Sequence, residues 1–235
     1  MSNPTTPHIR RYRRKVSGTD DQRLSTEVFE RNKQPILKAL YPYLDKIKGN
    51  ALEIGSGTGQ HLSYLAKHFP DIIWQGTDID KVHCKSIDAW AKFNSLNLAQ
   101  ALVLDAASDW SSVLKEYDSF KMIISMNVIH ISPITTLDGI FLNSAKFIKN
   151  NGILVFYGPF KRDGKHTGEG NKIFDQRLRE ENPTWGVRDI SILERLATDN
   201  NFDGPEVIEM PANNYLINIC CKFINQVIPI YYEEK

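Results

Sequence analysis

Cysteine is scarce in this 235-residue chain: only Cys84, Cys220 and Cys221 occur. An odd count, with two members adjacent in an apolar run, cannot form a disulfide framework. No Cys-x-x-Cys or His/Cys spacing suits a bound metal either. A secreted disulfide scaffold and a structural zinc site are excluded, no metal is expected, and the reading is a reducing, cytoplasmic setting. Long apolar runs are also missing. About 18 uninterrupted apolar residues are needed to span a bilayer, and the most apolar stretch, residues 215–232, is broken by Asn218, Lys222, Asn225 and Gln226. The first residues lack the apolar segment of a secretory signal, and Pro4, Pro7, Gly18 and Asp20 spoil the amphipathic helix of a mitochondrial presequence. Acidic residues are absent from positions 1–15, which carry Arg10, Arg11, Arg13, Arg14 and Lys15. The formal net charge of +1 therefore hides a head of +5 on a body of −4.

What is present is enough apolar material for a core, at 41% of residues against 24% charged. Helical periodicity marks residues 26–44, where Ile36, Leu37, Leu40, Tyr41 and Leu44 share a stripe. It recurs at 61–69, at 82–96, after Ser132-Pro133, at 171–180 and after Asp189. Ser132 is the expected cap of its helix. Short apolar strands fall at 50–54, 72–77, 101–104, 122–125 and 153–157, and two consecutive ones at 206–210 and 215–223. Strands alternating with helices imply a doubly wound, mainly parallel α/β sheet covered on both faces, and the final pair implies an antiparallel edge.

The densest chemistry lies in Glu53-Ile-Gly55-Ser-Gly57-Thr-Gly59-Gln60, between a strand and a helix. Glycines there let a ligand approach the backbone. A dinucleotide fingerprint needs a sixth-position glycine or alanine to seat a pyrophosphate, and Gln60 occupies that place. Asp78 follows Gly55 by 23 residues at the end of the second strand, where a carboxylate can accept two ribose hydroxyls. Asp80, two residues on, reads as a helix N-cap. Asp105-Ala106 ends the third strand. Three acids at successive strand ends meet at the edge where open α/β sheets bind ligands.

The spacing Gly-x-Gly-x-Gly, with an acid two residues ahead, resembles motif I of the class I S-adenosylmethionine (SAM) methyltransferases. That resemblance implies SAM as cofactor. It places Glu53 beside the methionine moiety, with Gly55, Ser56, Gly57, Thr58, Gly59 and His61 around it. Asp78 and Ile79 would meet the ribose and its surroundings, Asp105 and Ala106 the adenine, and Asn127 the wall of the reaction chamber. His130 could be a general base, needed only if the methyl acceptor must lose a proton; a histidine packed on the next helix fits the residue equally well.

Longer stretches resemble a narrower group. These are Glu30-Arg-Asn-Lys-Gln-Pro-Ile-Leu37, Ser56-Gly-Thr-Gly-Gln-His61, Asn127-Val-Ile-His-Ile-Ser-Pro133, Tyr157-Gly-Pro-Phe-Lys-Arg-Asp-Gly-Lys-His-Thr167, Asn182-Pro-Thr-Trp-Gly-Val-Arg-Asp189 and Met210-Pro-Ala-Asn-Asn214. Together they are similar to short SAM-dependent methyltransferase-like proteins of unassigned function in bacteria and animals, over residues 23–222. The resemblance implies one Rossmann-like methyltransferase domain, 23–223, with strand order 3-2-1-4-5-7-6 and the last strand antiparallel. A basic, flexible head (1–22) and a tail (224–235) fall outside it.

Residues 157–171 leave the fifth strand beside the expected methyl site. The segment holds Lys161, Arg162, Lys165 and His166 among four glycines, the composition of a mobile cationic lid over an anionic small molecule. Either that reading or a plain solvated loop fits the composition. Tyr157, Lys161, His166, Trp185 and Arg188 are the candidate substrate contacts. Nucleic acid is disfavoured, because only Tyr12 interrupts the basic head and the body beyond it is acidic. The rival functions are a SAM-binding protein without transferase activity, acting through partners, and a nicotinamide-dependent reductase. The second is at odds with Gln60.

Overall fold

A computed structural model of the chain describes residues 14–15, 22–45 and 47–221. Most of the basic head and the whole of the expected tail lie outside the described residues. Strands β1 (Arg14–Lys15) and β2 (Leu24–Ser25) pair as a short antiparallel ladder. Helix α1 (Glu27–Leu44) follows, with Thr26 as its N-cap.

The alternating segments then build one seven-stranded sheet. Its strands and helices run in the order β3 (Gly49–Ile54), α2 (Gln60–His68), β4 (Ile72–Asp78), α3 (Lys81–Phe93), β5 (Leu102–Val103), β6 (Phe120–Met126), α4 (Ile134–Phe147) and β7 (Ile148–Pro159). A hairpin of β8 (Lys161–Arg162) and β9 (Lys165–His166) precedes α5 (Glu169–Glu181) and α6 (Ile190–Asp199), and β10 (Glu206–Met210) and β11 (Asn214–Cys220) complete the sheet. The spatial order β5-β4-β3-β6-β7-β11-β10 is 3-2-1-4-5-7-6 when counted from the strand before the glycine loop. Only β11 runs against its neighbours. The doubly wound expectation holds.

Period-two alternation explains how one strand serves two cores. Ile124, Val155 and Leu216 join Ile36, Leu40, Leu62, Leu65 and Ile87 on one face. Their chain neighbours Ile123, Leu154, Phe156 and Ile217 join Leu137, Ile140, Phe141 and Leu193 on the other. Strands buried on both faces read as continuous apolar runs, which is how they stand in the sequence.

Two local expectations are corrected. Ser132 does not cap α4: its hydroxyl donates to the Val128 carbonyl at 3.0 Å, and Pro133 is the N-cap. The serine turns back to close the turn before the helix, so its oxygen is not placed to accept an amide of the helix end. The last strand begins at Asn214 rather than Tyr215, and position 223 lies outside the described residues. Asp80 does cap α3, accepting from the Val82 amide at 2.9 Å. Among the described residues no helix is long and apolar enough to cross a membrane.

Candidate functional site

The parallel strands point their C-terminal ends at one edge, and the glycine loop crosses it between β3 and α2. The Ser56 amide donates to the Thr77 carbonyl at 2.8 Å and the Gly59 amide to the Ser56 carbonyl at 2.9 Å, fixing the loop on β4. Its glycines serve different needs. A Cβ on Gly59 would lie 2.7 Å from the Ile87 backbone, so that position is required by packing against α3. Gly57 has a left-handed φ of +56° and meets nothing within 4 Å of a built Cβ. Open space beside a strained backbone is what a ligand-facing position requires.

Gln60, the residue that breaks the dinucleotide pattern, is buried and takes a structural role. Its side-chain oxygen accepts from the Thr26 amide at 2.7 Å and from the Thr58 hydroxyl at 3.2 Å. Ser86 adds a second tie, donating to the Thr58 carbonyl at 2.7 Å while accepting from the Leu24 amide at 2.8 Å. The start of α1 is thereby stitched to the glycine loop. One turn into α1, Phe29 meets the His61 ring edge-on at 5.0 Å. Burial holds His61 at a pKa of about 4, so it is neutral at physiological pH. The side chains of Ser56 and Thr58 are buried in the loop's own bonds, so the backbone is what this segment offers a ligand.

The acids differ sharply. Glu53 is 2% exposed, and its Oε2 has no hydrogen-bond partner among the described residues. Burial raises its pKa to about 7; Asp78 pushes in the same direction and Ser56 opposes. A buried carboxylate with an idle oxygen is costly unless a cation or donor completes it. Asp78 is 6% exposed. Its Oδ2 accepts the Gly57 amide and its Oδ1 the Asp80 amide, both at 2.9 Å. Beside it Ile79 is 60% exposed, an apolar side chain next to a polar cradle. Asp105 is exposed and accepts the Ala107 amide at 2.9 Å. Ala106 is buried; its carbonyl accepts Trp110 Nε1 at 3.3 Å and packs under α4 at Gly139.

The other wall departs from expectation. Asn127 takes a left-handed φ of +59°, and its amide donates to the Tyr157 carbonyl at 2.8 Å. A Cβ at Gly158 would meet His130 Nε2 at 2.6 Å and Asn127 Oδ1 at 3.0 Å, so both side chains crowd one backbone position. His130, the candidate base, has no exposed surface. It lies edge-on to Phe160 at 5.0 Å, and neither ring nitrogen has a partner among the described residues. Burial, aided by Arg188, lowers its pKa to about 3. A base needs reach to its proton and a pKa near the working pH; His130 has neither in this conformation, where it packs against Phe160 and Gly158.

The candidate substrate contacts are also engaged. Arg188 donates through Nε to the Ile129 carbonyl at 3.0 Å and through Nη2 to those of Ser132 at 2.6 Å and Thr184 at 3.0 Å. Trp185 is 5% exposed, and Tyr157, at 2%, accepts from Asn214 Nδ2 at 3.2 Å. Burial raises the Tyr157 pKa to about 12, against the opposing pull of Arg31 and Asn214. Lys161 Nζ and His166 Nε2 both turn to Asp175 Oδ2, at 2.9 and 3.2 Å. Asp175 Oδ1 accepts Arg179 Nε at 3.1 Å and the Val187 amide at 2.7 Å. In the expected lid the β8–β9 hairpin and the buried Asp175 carboxylate hold Lys161 and His166 as part of a cap, while Arg162 and Lys165 are exposed.

Asp175, Gln60 and His83 were not among the candidate residues. Asp175 left one trace in the sequence, an acid three residues before Leu178 on the buried stripe of α5. In the sequence Gln60 stands out only as a departure from another motif, and His83 sits in an ordinary helix start.

This order of strands, with a glycine loop after the first and carboxylates after the first two, defines the fold of the class I SAM-dependent methyltransferases. Solved structures share it. An O-methyltransferase family protein of Burkholderia thailandensis aligns at a TM-score of 0.66 and 12% identity, over 83% of this chain and 58% of its own. Human N-acetylserotonin methyltransferase, solved in complex with SAM, gives 0.67 and 13%, over 84% and 53%. The PH0226 protein of Pyrococcus horikoshii gives 0.65 and 17%, over 84% and 92%. The chain thus spans little more than half the length of the first two. It belongs to the family described as "Protein of unknown function (DUF938)", which matches residues 23–220.

Proposed function

We propose that the protein is a SAM-dependent methyltransferase acting on a small molecule. The observation that carries this reading is Glu53, a buried carboxylate with an unpartnered oxygen near the end of the strand that leads into the glycine loop. An ammonium group is the partner such an oxygen lacks, and SAM brings one on its methionine moiety. Asp78 offers its carboxylate to the ribose hydroxyls, and exposed Ile79 offers an apolar surface for the adenine ring, with Asp105 near its amino group. When bound, SAM supplies a methyl group on a sulfonium, already a good leaving group. The protein's part is then positioning and exclusion of water. Asn127, next to Tyr157 and Gly158, lines the acceptor side. No base is assigned, because His130 is sealed.

Of the four cations behind the anionic-substrate expectation, Lys161 and His166 are turned to Asp175, which leaves the exposed Arg162 and Lys165 as those an anionic acceptor could meet.

Two variants test the cofactor site. Asp78→Ala is expected to raise the SAM dissociation constant at least tenfold, about 1.4 kcal/mol, by calorimetry; unchanged affinity would reject the assignment. Gly57→Ala places a Cβ in the open space at a cost to folding of about 1–2 kcal/mol, so the variant should fold yet bind SAM at least tenfold more weakly. A folded variant with full affinity would move the ligand elsewhere. Transfer of labelled methyl groups from SAM into a metabolite extract, lost in the Gly57 variant, separates an enzyme from a SAM-binding protein without transferase activity.

A further inference from the structure

His83 lies in the first turn of α3, behind the ribose-binding carboxylate of the proposed site. It is 9% exposed, and neither ring nitrogen has a hydrogen-bond partner among the described residues. Its Nδ1 nevertheless lies 3.1 Å from Asp78 Oδ1, within reach but off the hydrogen-bond line. A bare lone pair on Nδ1 would repel the carboxylate at that distance, so the proton belongs on Nδ1. The ring is held there by α3, whose His83 amide donates to the Asp80 carbonyl at 2.9 Å.

We infer that His83 is a positioning residue of the ribose site: its Nδ1–H holds Asp78 in the orientation that accepts both hydroxyls of an adenosyl ribose. The inference rests on the cofactor reading above. Two backbone amides already reach the carboxylate, one on each oxygen. Both are on chain that flanks the ligand, the glycine loop and the strand-to-helix turn. Among the described residues, His83 is the side-chain donor that stands within ion-pair distance of the Asp78 carboxylate, and it comes from α3. A small rotation of either group as the ligand seats would close the bond. That would satisfy an imidazole otherwise buried without a partner, which carries a desolvation cost. The contact joins a residue that touches the ligand to one that does not, the arrangement by which a supporting shell sharpens a binding group.

The test pairs protein variants with ligand variants. S-adenosylhomocysteine and its 2′,3′-dideoxyribose analogue are titrated by calorimetry into the full chain, using wild type, His83→Phe, His83→Gln and His83→Asn. Wild type should prefer the hydroxylated ligand by at least tenfold. His83→Phe should lose most of that preference, binding the dideoxy analogue as wild type does. His83→Asn, whose Nδ2 can stand where Nδ1 stood, should restore the preference to within threefold. His83→Gln carries its amide too far along the side chain and should behave like phenylalanine, which keeps the test intact if the phenylalanine variant fails to fold. Equal weakening of both ligands in the Phe and Gln variants would show a general packing role and overturn the inference, as would an undiminished preference. Failure of wild type to bind either ligand would remove the cofactor reading itself, and the inference with it.

Discussion

Replacing Glu53 by glutamine is expected to stabilise the ligand-free protein while weakening its hold on SAM. The folded-state pKa of Glu53 is raised from 4.5 to about 7, mainly by burial. A raised carboxylate pKa means the folded protein holds the proton more tightly than the unfolded chain. The associated stability is fully present below about pH 4.5 and is lost as pH rises through about 7. Above that range the ionised side chain costs roughly 3 kcal/mol. Glutamine removes that charge with almost the same shape. At pH 8 Glu53→Gln should raise the melting temperature by roughly 6–10 °C, whereas at pH 4 the two proteins should melt together. The same change deprives a ligand ammonium of its counter-charge, so SAM should bind at least thirtyfold more weakly, about 2 kcal/mol. Wild-type affinity should also climb from pH 6 to pH 8 and stay flat in the variant. Equal melting at pH 8, or unchanged SAM binding, would show that Glu53 is satisfied in some other way.

Asp175→Ala should have a comparable effect of opposite sign. The carboxylate is 7% exposed and joins three parts of the cap: the β8–β9 hairpin through Lys161 and His166, α5 through Arg179, and the segment before α6 through the Val187 amide. Removing it strands a mostly buried ammonium and a buried amide, at a cost of about 3–5 kcal/mol. None of these groups belongs to the seven-stranded sheet, so the loss should be local. Hydrogen exchange should speed up across residues 160–188 while β3, β6 and β7 keep their protection. The Asn variant, which can still accept the Val187 amide, should fall between. Burial by itself would raise the Asp175 pKa, but Lys161, the Val187 amide and Arg179 outweigh it, and the net shift is downward. A lowered pKa contributes stability that is present above the ordinary carboxylate range, near pH 4, and lost as pH falls through the folded value. Acid should therefore loosen the same cap in the wild type. Unchanged exchange in Asp175→Ala would show that the cap is held by its apolar contacts, Trp185 and Leu178 among them.

The sheet was legible because its information is local. Runs such as 122–125 and 153–157 are apolar on both alternating faces, as strands covered by helices must be, and the stripes between them have helical spacing. The glycine loop and the acids after β3 and β4 were legible for a related reason, since a strand end followed by glycine or by Asp-x-Asp marks the same edge each time. The wall facing that edge was not. His130 and Asn127 stand three residues apart at one strand end, yet one is sealed and the other half-exposed. The difference comes from Phe160 and Arg188, which arrive from 30 and 58 residues further along. Lys161 and His166 look like free cations until α5 folds back and sets Asp175 between them.

The sequence by itself determined the doubly wound α/β class and the three acids at successive strand ends, because each follows from periodicity and spacing within a few residues. The order of the strands came only with the resemblance to class I methyltransferases. Only the tertiary structure decided which polar groups remain unengaged. It left Glu53 with an idle oxygen and set His83 behind Asp78. It also turned Lys161, His166 and Arg188 inward. Whether a charge is available for chemistry depends on partners that the fold brings from distant segments, and on the burial that the assembled structure imposes.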